Sequence, residues 1–132
     1  VHPADALHGS LGAVVTGDVV VTISKGGRSA ELNEFAARCK ERGARLLVLT
    51  GAPDSPLAAL ADVAVSLPGT AGADPGGVIA MGSSLAASAW GDAFAWALMR
   101  LRGYSWESVL HAHPAGAVGR MSAADIAGTE VS

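Results

Sequence analysis

Apolar positions along this chain come in two rhythms, and their alternation sets the expected architecture. Residues 18–24 run from Asp18 through Val19, Val20, Val21, Thr22 and Ile23 to Ser24. A β-branched run with no alternating polar positions predicts a strand covered on both faces, as in a parallel sheet. Lys25, Gly26, Gly27 and Arg28 interrupt it. Ser29 then stands where a helix cap belongs, for a helix running to about Arg42 with Gly43 as its stop. Leu32, Phe35, Ala36 and Cys39 fall on one face of that helix. Arg45 to Thr50 predicts a second buried strand, and the stretch from Gly51 to Pro56 a turn. Ser55 followed by Pro56 reads as a cap with proline at the first helical position, opening a short helix over 57–61. Residues 62–67 predict a third strand.

Turn-formers fill 68–77. A long helix is expected over 78–102, with Trp90, Phe94, Ala97, Leu98 and Leu101 as a core-facing stripe, ended by Gly103. A short helix over 105–111 precedes His113-Pro114-Ala115-Gly116, and residues 121–132 form a weakly helical tail. Strand and helix in strict alternation predict an α/β fold, a parallel sheet with right-handed crossovers. Three strands are few for that class and leave two edges unmanaged. The chain also begins with Val1 rather than Met. Both features lead to the expectation that a front part is missing or that a partner covers it.

Composition narrows the functional classes. A chain of 132 residues is one domain's worth. Its 27 Ala and 17 Gly suit close helix-on-sheet packing. A mean hydropathy of +0.37 with 16% charged residues argues against disorder. The net charge of −3, with no basic run, offers no face for nucleic acid. Arg38, Lys40, Arg42 and Arg45 cluster around Glu41, which reads as the solvated end of a helix. The single cysteine, Cys39, excludes an intramolecular disulfide framework and fits a reducing, cytoplasmic setting. No signal-peptide pattern opens the sequence, and no uninterrupted apolar run reaches the roughly 18 residues of a membrane helix.

Candidate chemistry concentrates at one loop. Ligands of open α/β sheets bind beyond the carboxyl ends of the strands. There the sequence places Ser24-Lys25-Gly26-Gly27-Arg28-Ser29. Two glycines allow close backbone approach, a helix N-terminus follows, and the loop carries two hydroxyls and two cations. Such a loop suits phosphate, although a Gly-Gly turn before a helix is also a common plain connection. It has neither the spacing of nucleoside-triphosphate loops nor that of dinucleotide folds, so no nucleotide cofactor is predicted. Glu31 lies in the first turn of the following helix, where it serves either as a base beside the loop or simply as an acid favoured by the helix dipole. Four histidines are present: His2, His8, His111 and His113. His111 and His113 pair as metal ligands or as acid/base groups. No carboxylate or cysteine cluster accompanies them, so no metal is expected. A carboxylate, histidines and a phosphate cradle together suit proton transfer beside a carbonyl on a small phosphorylated molecule.

Several segments, in order, resemble the sugar isomerase (SIS) domain of arabinose-5-phosphate isomerases and their relatives. They are Val1-His2-Pro3-Ala4-Asp5-Ala6-Leu7-His8-Gly9, Gly17-Asp18-Val19-Val20, Leu49-Thr50-Gly51, Gly91-Asp92-Ala93 and His113-Pro114-Ala115-Gly116-Ala117-Val118-Gly119-Arg120. The resemblance covers residues 1–120 as an SIS domain, with 121–132 as a tail. It implies a doubly wound, flavodoxin-like parallel sheet that lacks its N-terminal strand here: that strand, its glycine loop and a catalytic Lys would precede Val1. It implies isomerisation of aldose and ketose phosphates, such as arabinose 5-phosphate, through an enediol and without cofactor or metal. It implies a homodimer or homotetramer with no membrane or nucleic-acid partner. By match of position, His8, Glu31 and His113 are the catalytic candidates. Ser24, Lys25, Gly26, Gly27, Arg28, Ser29, Ser83 and Ser84 are the phosphate and substrate candidates. The chain departs from the family where a loop serine is Gly26, a loop acid is Arg28, and a cysteine is replaced at or beside Asp74. A module that binds phosphosugars without turning them over is the alternative reading, and a piece that mainly mediates oligomerisation is the third.

Overall fold

Three parallel strands, β1 (Val19–Ser24), β2 (Arg45–Thr50) and β3 (Val63–Ser66), pair in the order β1-β2-β3. They belong to a computed structural model that describes residues 2–67 and 72–127. The register sets Ser24 opposite Thr50 and Thr50 opposite Ser66, so the strands end together at one carboxyl edge. The predicted turn at 68–71 lies outside the described residues.

The crossovers α2 (Ala30–Glu41) and α3 (Pro56–Leu60) carry apolar residues at helical spacing. Phe35, Ala36 and Cys39 from α2 and Leu57 from α3 pack with Leu46 and Val48 of the sheet. Fully burying one leucine contributes about 1.5–3 kcal/mol. Burial also pushes the Cys39 thiol up, which disfavours its reactive thiolate. Two elements that the sequence does not announce precede β1. These are α1 (Pro3–Ala6) and a 3-10 turn (Ser10–Ala13). Ala6 and Val14 join the core from this segment. The Arg42 guanidinium donates to the Val14 carbonyl at 2.7 Å, and the Thr16 hydroxyl to the Arg42 carbonyl at 2.9 Å. Gly43 stops α2 in the left-handed region at φ +83°, with Thr16 where a Cβ would stand.

The expectation that every strand is covered on both faces needs correction. Leu47 and Leu49 of central β2 are buried, but on the same face Val19, Val21, Ile23 and Val63 are exposed. The helices α2 and α3 serve the other face, so among the described residues only the middle of this one is covered.

The predicted long helix is shorter than expected. It is α4 (Gly82–Leu101), beginning four residues late because Pro75–Gly77 form a 3-10 turn in which Gly76 and Gly77 have positive φ. The first compact unit is Val1–Ala89 and the second Trp90–Ser132. The second holds the rest of α4, α5 (Trp106–Ala112), a 3-10 turn (Val118–Arg120) and α6 (Ala123–Ala127). The aromatic stripe predicted to face a core does not do so, since no residue of α4 is buried. Instead the rings shield one another. Trp90 stacks on Phe94 with centroids 4.8 Å apart, and Trp96 meets Trp106 at 5.9 Å. Among the described residues, no helix is long and apolar enough to cross a membrane.

Candidate functional site

Beyond the carboxyl ends of β1 and β2 lies a cavity of about 510 Å³. Ser24, Lys25 and Gly26 line it from the β1 loop, Leu49 and Thr50 from β2, and Asp74, Ser83 and Ser84 from the approach to α4. This is where open α/β sheets place their ligands.

The β1 loop is braced from both sides. The Ser24 hydroxyl accepts from the Gly27 N–H at 3.1 Å. The Gly51 N–H donates to the Lys25 carbonyl at 3.0 Å, and the Thr50 hydroxyl donates to the same oxygen at 3.3 Å. The Leu57 N–H donates to the Gly27 carbonyl at 3.2 Å. These bonds leave the N–H groups of Gly26, Arg28 and Ser29 with no acceptor among the described residues. Ser29 occupies the cap position of α2 but its hydroxyl makes no capping bond. Unpaired N–H groups at a helix N-terminus favour an anion.

Gly27 is required by this arrangement. Its φ is +60°, and a Cβ there would overlap the buried Ser55 side chain. Gly27→Ala is expected to lower stability by about 1–3 kcal/mol, as left-handed strain does in a non-glycine residue. Urea denaturation checks this, and an unchanged midpoint refutes it.

A second feature is not visible as a site in the sequence. The buried Asp74 carboxylate accepts two backbone hydrogen bonds and makes one ion pair. Its Oδ1 accepts from the N–H groups of Met81 at 2.8 Å and Ser83 at 3.0 Å. Its Oδ2 lies 2.6 Å from the Lys25 ammonium, which also donates to the Gly77 carbonyl at 2.8 Å. The Lys25 ammonium first, and the Ser83 amide next, hold the Asp74 carboxyl well below the usual carboxylate range. Asp62 is lowered too, by the Leu46 N–H at 2.7 Å and then by Lys40. Spacing gives no hint of Asp74, since it caps from seven and nine residues away rather than from the usual three.

Both shifts have one consequence for acid stability. A carboxylate whose folded pKa is depressed adds stability above its unfolded value, about 3.9, and loses it as pH falls further. The melting temperature is therefore expected to drop below about pH 4, and less steeply in Asp74→Asn. A melting temperature that rises from pH 4 to pH 3 refutes this.

Of the candidates from the sequence, Ser24, Lys25, Gly26, Ser83 and Ser84 line the cavity. Gly27 backs the loop, and Arg28 and Ser29 are exposed beside it. Glu31, at the second position of α2, and His8, between α1 and the 3-10 turn, are exposed. Neither side chain bonds another described residue, and neither lines this cavity. His113 belongs to the second unit, where its Nδ1 lies 2.8 Å from the Val109 carbonyl. Among the described residues, no group of three or more His, Cys, Asp or Glu is placed to hold a metal.

Comparison with known proteins adds what geometry alone does not. The family model for the SIS domain matches residues 1–97. Arabinose 5-phosphate isomerase KdsD of Shigella flexneri is 39% identical over 120 residues, which is 91% of this chain and 37% of the relative. Arabinose 5-phosphate isomerase GutQ of Escherichia coli K12 is 38% identical over 119 residues, 90% of this chain and 37% of the relative. The chain thus spans little more than a third of the length of these relatives. A structure of an Escherichia coli CFT073 protein, solved in complex with arabinose 5-phosphate, superposes with a TM-score of 0.80 at 35% identity, covering 86% of this chain and 61% of the other.

Proposed function

This chain belongs to the SIS domain family, and on that premise we propose that it is the phosphosugar-binding core of an aldose–ketose isomerase. The observation that carries the reading is the braced β1 loop with its unpaired N–H groups at the mouth of a cavity. Its support from outside is the similar structure solved with arabinose 5-phosphate. The loop amides and the hydroxyls of Ser24 and Ser29 hold the phosphate, with Gly26, Gly27 and Arg28 shaping that loop. Ser83 and Ser84 face the sugar from the opposite wall. Glu31 takes the C2 proton of the aldose to give the enediol and returns a proton to C1, yielding the ketose. His8 and His113 move the hydroxyl protons or open the sugar ring. No step needs a metal or cofactor. In this reading the working protein is a cytoplasmic homodimer or homotetramer whose subunits complete one another's sites.

The test is exchange at C2. The full-length protein, given a panel of pentose and hexose phosphates in D2O, is expected to exchange the C2 proton of at least one, arabinose 5-phosphate among them. No exchange with any of them refutes the enzyme reading. A second reading, a non-catalytic phosphosugar sensor, is favoured by Gly26 and Arg28 standing where the resembled loop has a serine and an acid. Calorimetric binding of a sugar phosphate without exchange supports it.

A further inference from the structure

The loop's two cations are not equivalent. Lys25 reaches across the cavity, and its ammonium is engaged by the Asp74 carboxylate at 2.6 Å and the Gly77 carbonyl at 2.8 Å. Asp74 itself is buried, and its other oxygen takes the Met81 and Ser83 amides at the start of α4. An ammonium, two backbone N–H groups and the N-terminus of a twenty-residue helix make an anion cradle, and here the anion is part of the chain. Arg28, by contrast, is exposed and makes no ion pair among the described residues.

We infer that Asp74 is a positioning residue that serves as the built-in anion of this cavity, holding Lys25 and the α4 amides so that an incoming phosphate is confined to the β1 loop. The inference rests on the phosphosugar reading for the identity of the ligand, but not for the contacts themselves. It fixes which wall of the cavity takes the phosphate. The opposite wall then offers the Ser83 and Ser84 hydroxyls and, among the described residues, no free cation, which leaves the β1 loop as the place for the phosphate.

Removing the charge while keeping the cap exposes the device. In Asp74→Asn the amide oxygen still accepts from Met81 and Ser83, and Asn caps helices as well as Asp. Its NH2 faces the Lys25 ammonium as a second donor, so the pair is lost and Lys25 is released to an external anion. The full-length protein is titrated with inorganic phosphate by calorimetry. Asp74→Asn is expected to bind it about five- to tenfold more tightly than the native protein, the effect of one freed charge-assisted contact. Lys25→Met alone leaves the Asp74 charge unpaired beside the cavity, so it is expected to weaken phosphate binding several-fold. The double variant is expected to lose most of the gain. The proposal is overturned if Asp74→Asn binds phosphate no more tightly than native, or if the gain persists without Lys25. It is also overturned if the double variant, which removes both charges and leaves neither one unpaired, binds phosphate tenfold more weakly than native, an arm that stands should Asp74→Asn alone fail to fold. Failure of the phosphosugar reading looks different: phosphate affinities then follow this pattern while no sugar phosphate binds better than phosphate itself.

Discussion

Replacing Glu31 by Gln is expected to lower isomerase turnover of the full-length protein by about 10²- to 10⁴-fold, with KM changed only a fewfold. Gln has the shape of Glu but does not take up the C2 proton, so an effect confined to the chemical step falls on kcat. The site favours a clean experiment. Glu31 is exposed at the second position of α2, and its carboxylate bonds no other described residue, so its loss breaks no contact of the fold. The competing role, an acid favoured by the positive end of the helix, makes a different prediction. It is a surface effect that shifts the melting temperature slightly and leaves kcat alone. Steady-state kinetics beside a thermal melt separate the two. A loss in kcat below tenfold removes Glu31 from the mechanism.

Phe35→Ala is expected to cost about 3–5 kcal/mol of folding stability. Phe35 is 4% exposed and packs from the middle of α2 into the cluster of Ala6, Val14, Ala36, Cys39, Leu46, Val48 and Leu57. Two of these neighbours, Ala6 and Ala36, are alanines with no side chain to swing into the space, so the cavity persists and the cost falls toward the upper end. A domain has only about 5–15 kcal/mol to lose, so a large fraction of the total is at stake. The same truncation at Phe94, 39% exposed, removes far less buried surface and is expected to cost well under half as much. Urea denaturation of both variants checks the pair of values. Equal losses would place Phe94 in a core equivalent to that of Phe35.

Much of this is legible in the sequence. β1 and β2 fall within a residue of their expected bounds, because unbroken Val, Ile and Leu runs between glycine turns leave few alternatives. The capping of α3 by Ser55, with Pro56 behind it, follows from local geometry, and the Ser55 hydroxyl accepts from the Ala58 N–H at 3.3 Å. The glycine loop after β1 is legible for the same reason, being six consecutive residues. The stripe of Trp90, Phe94 and Leu101 reads as core and is not: helical spacing tells which residues share a face but not whether anything covers it. The start of α4 escapes local reading because two positive-φ glycines and a distant carboxylate, not local propensity, decide it.

The sequence by itself determined the order of strands and helices, the parallel sheet, and the loop of glycines and hydroxyls at its carboxyl edge. All of these arise from periodicity and backbone preference within a few residues. Only the tertiary structure decided which charges are available at that edge. Lys25 and Asp74 stand far apart along the chain, and no spacing rule pairs them. The sheet brings the β1 loop and the approach to α4 to opposite walls of one cavity, and the cost of burying a lone carboxylate then commits Asp74 to the nearest ammonium.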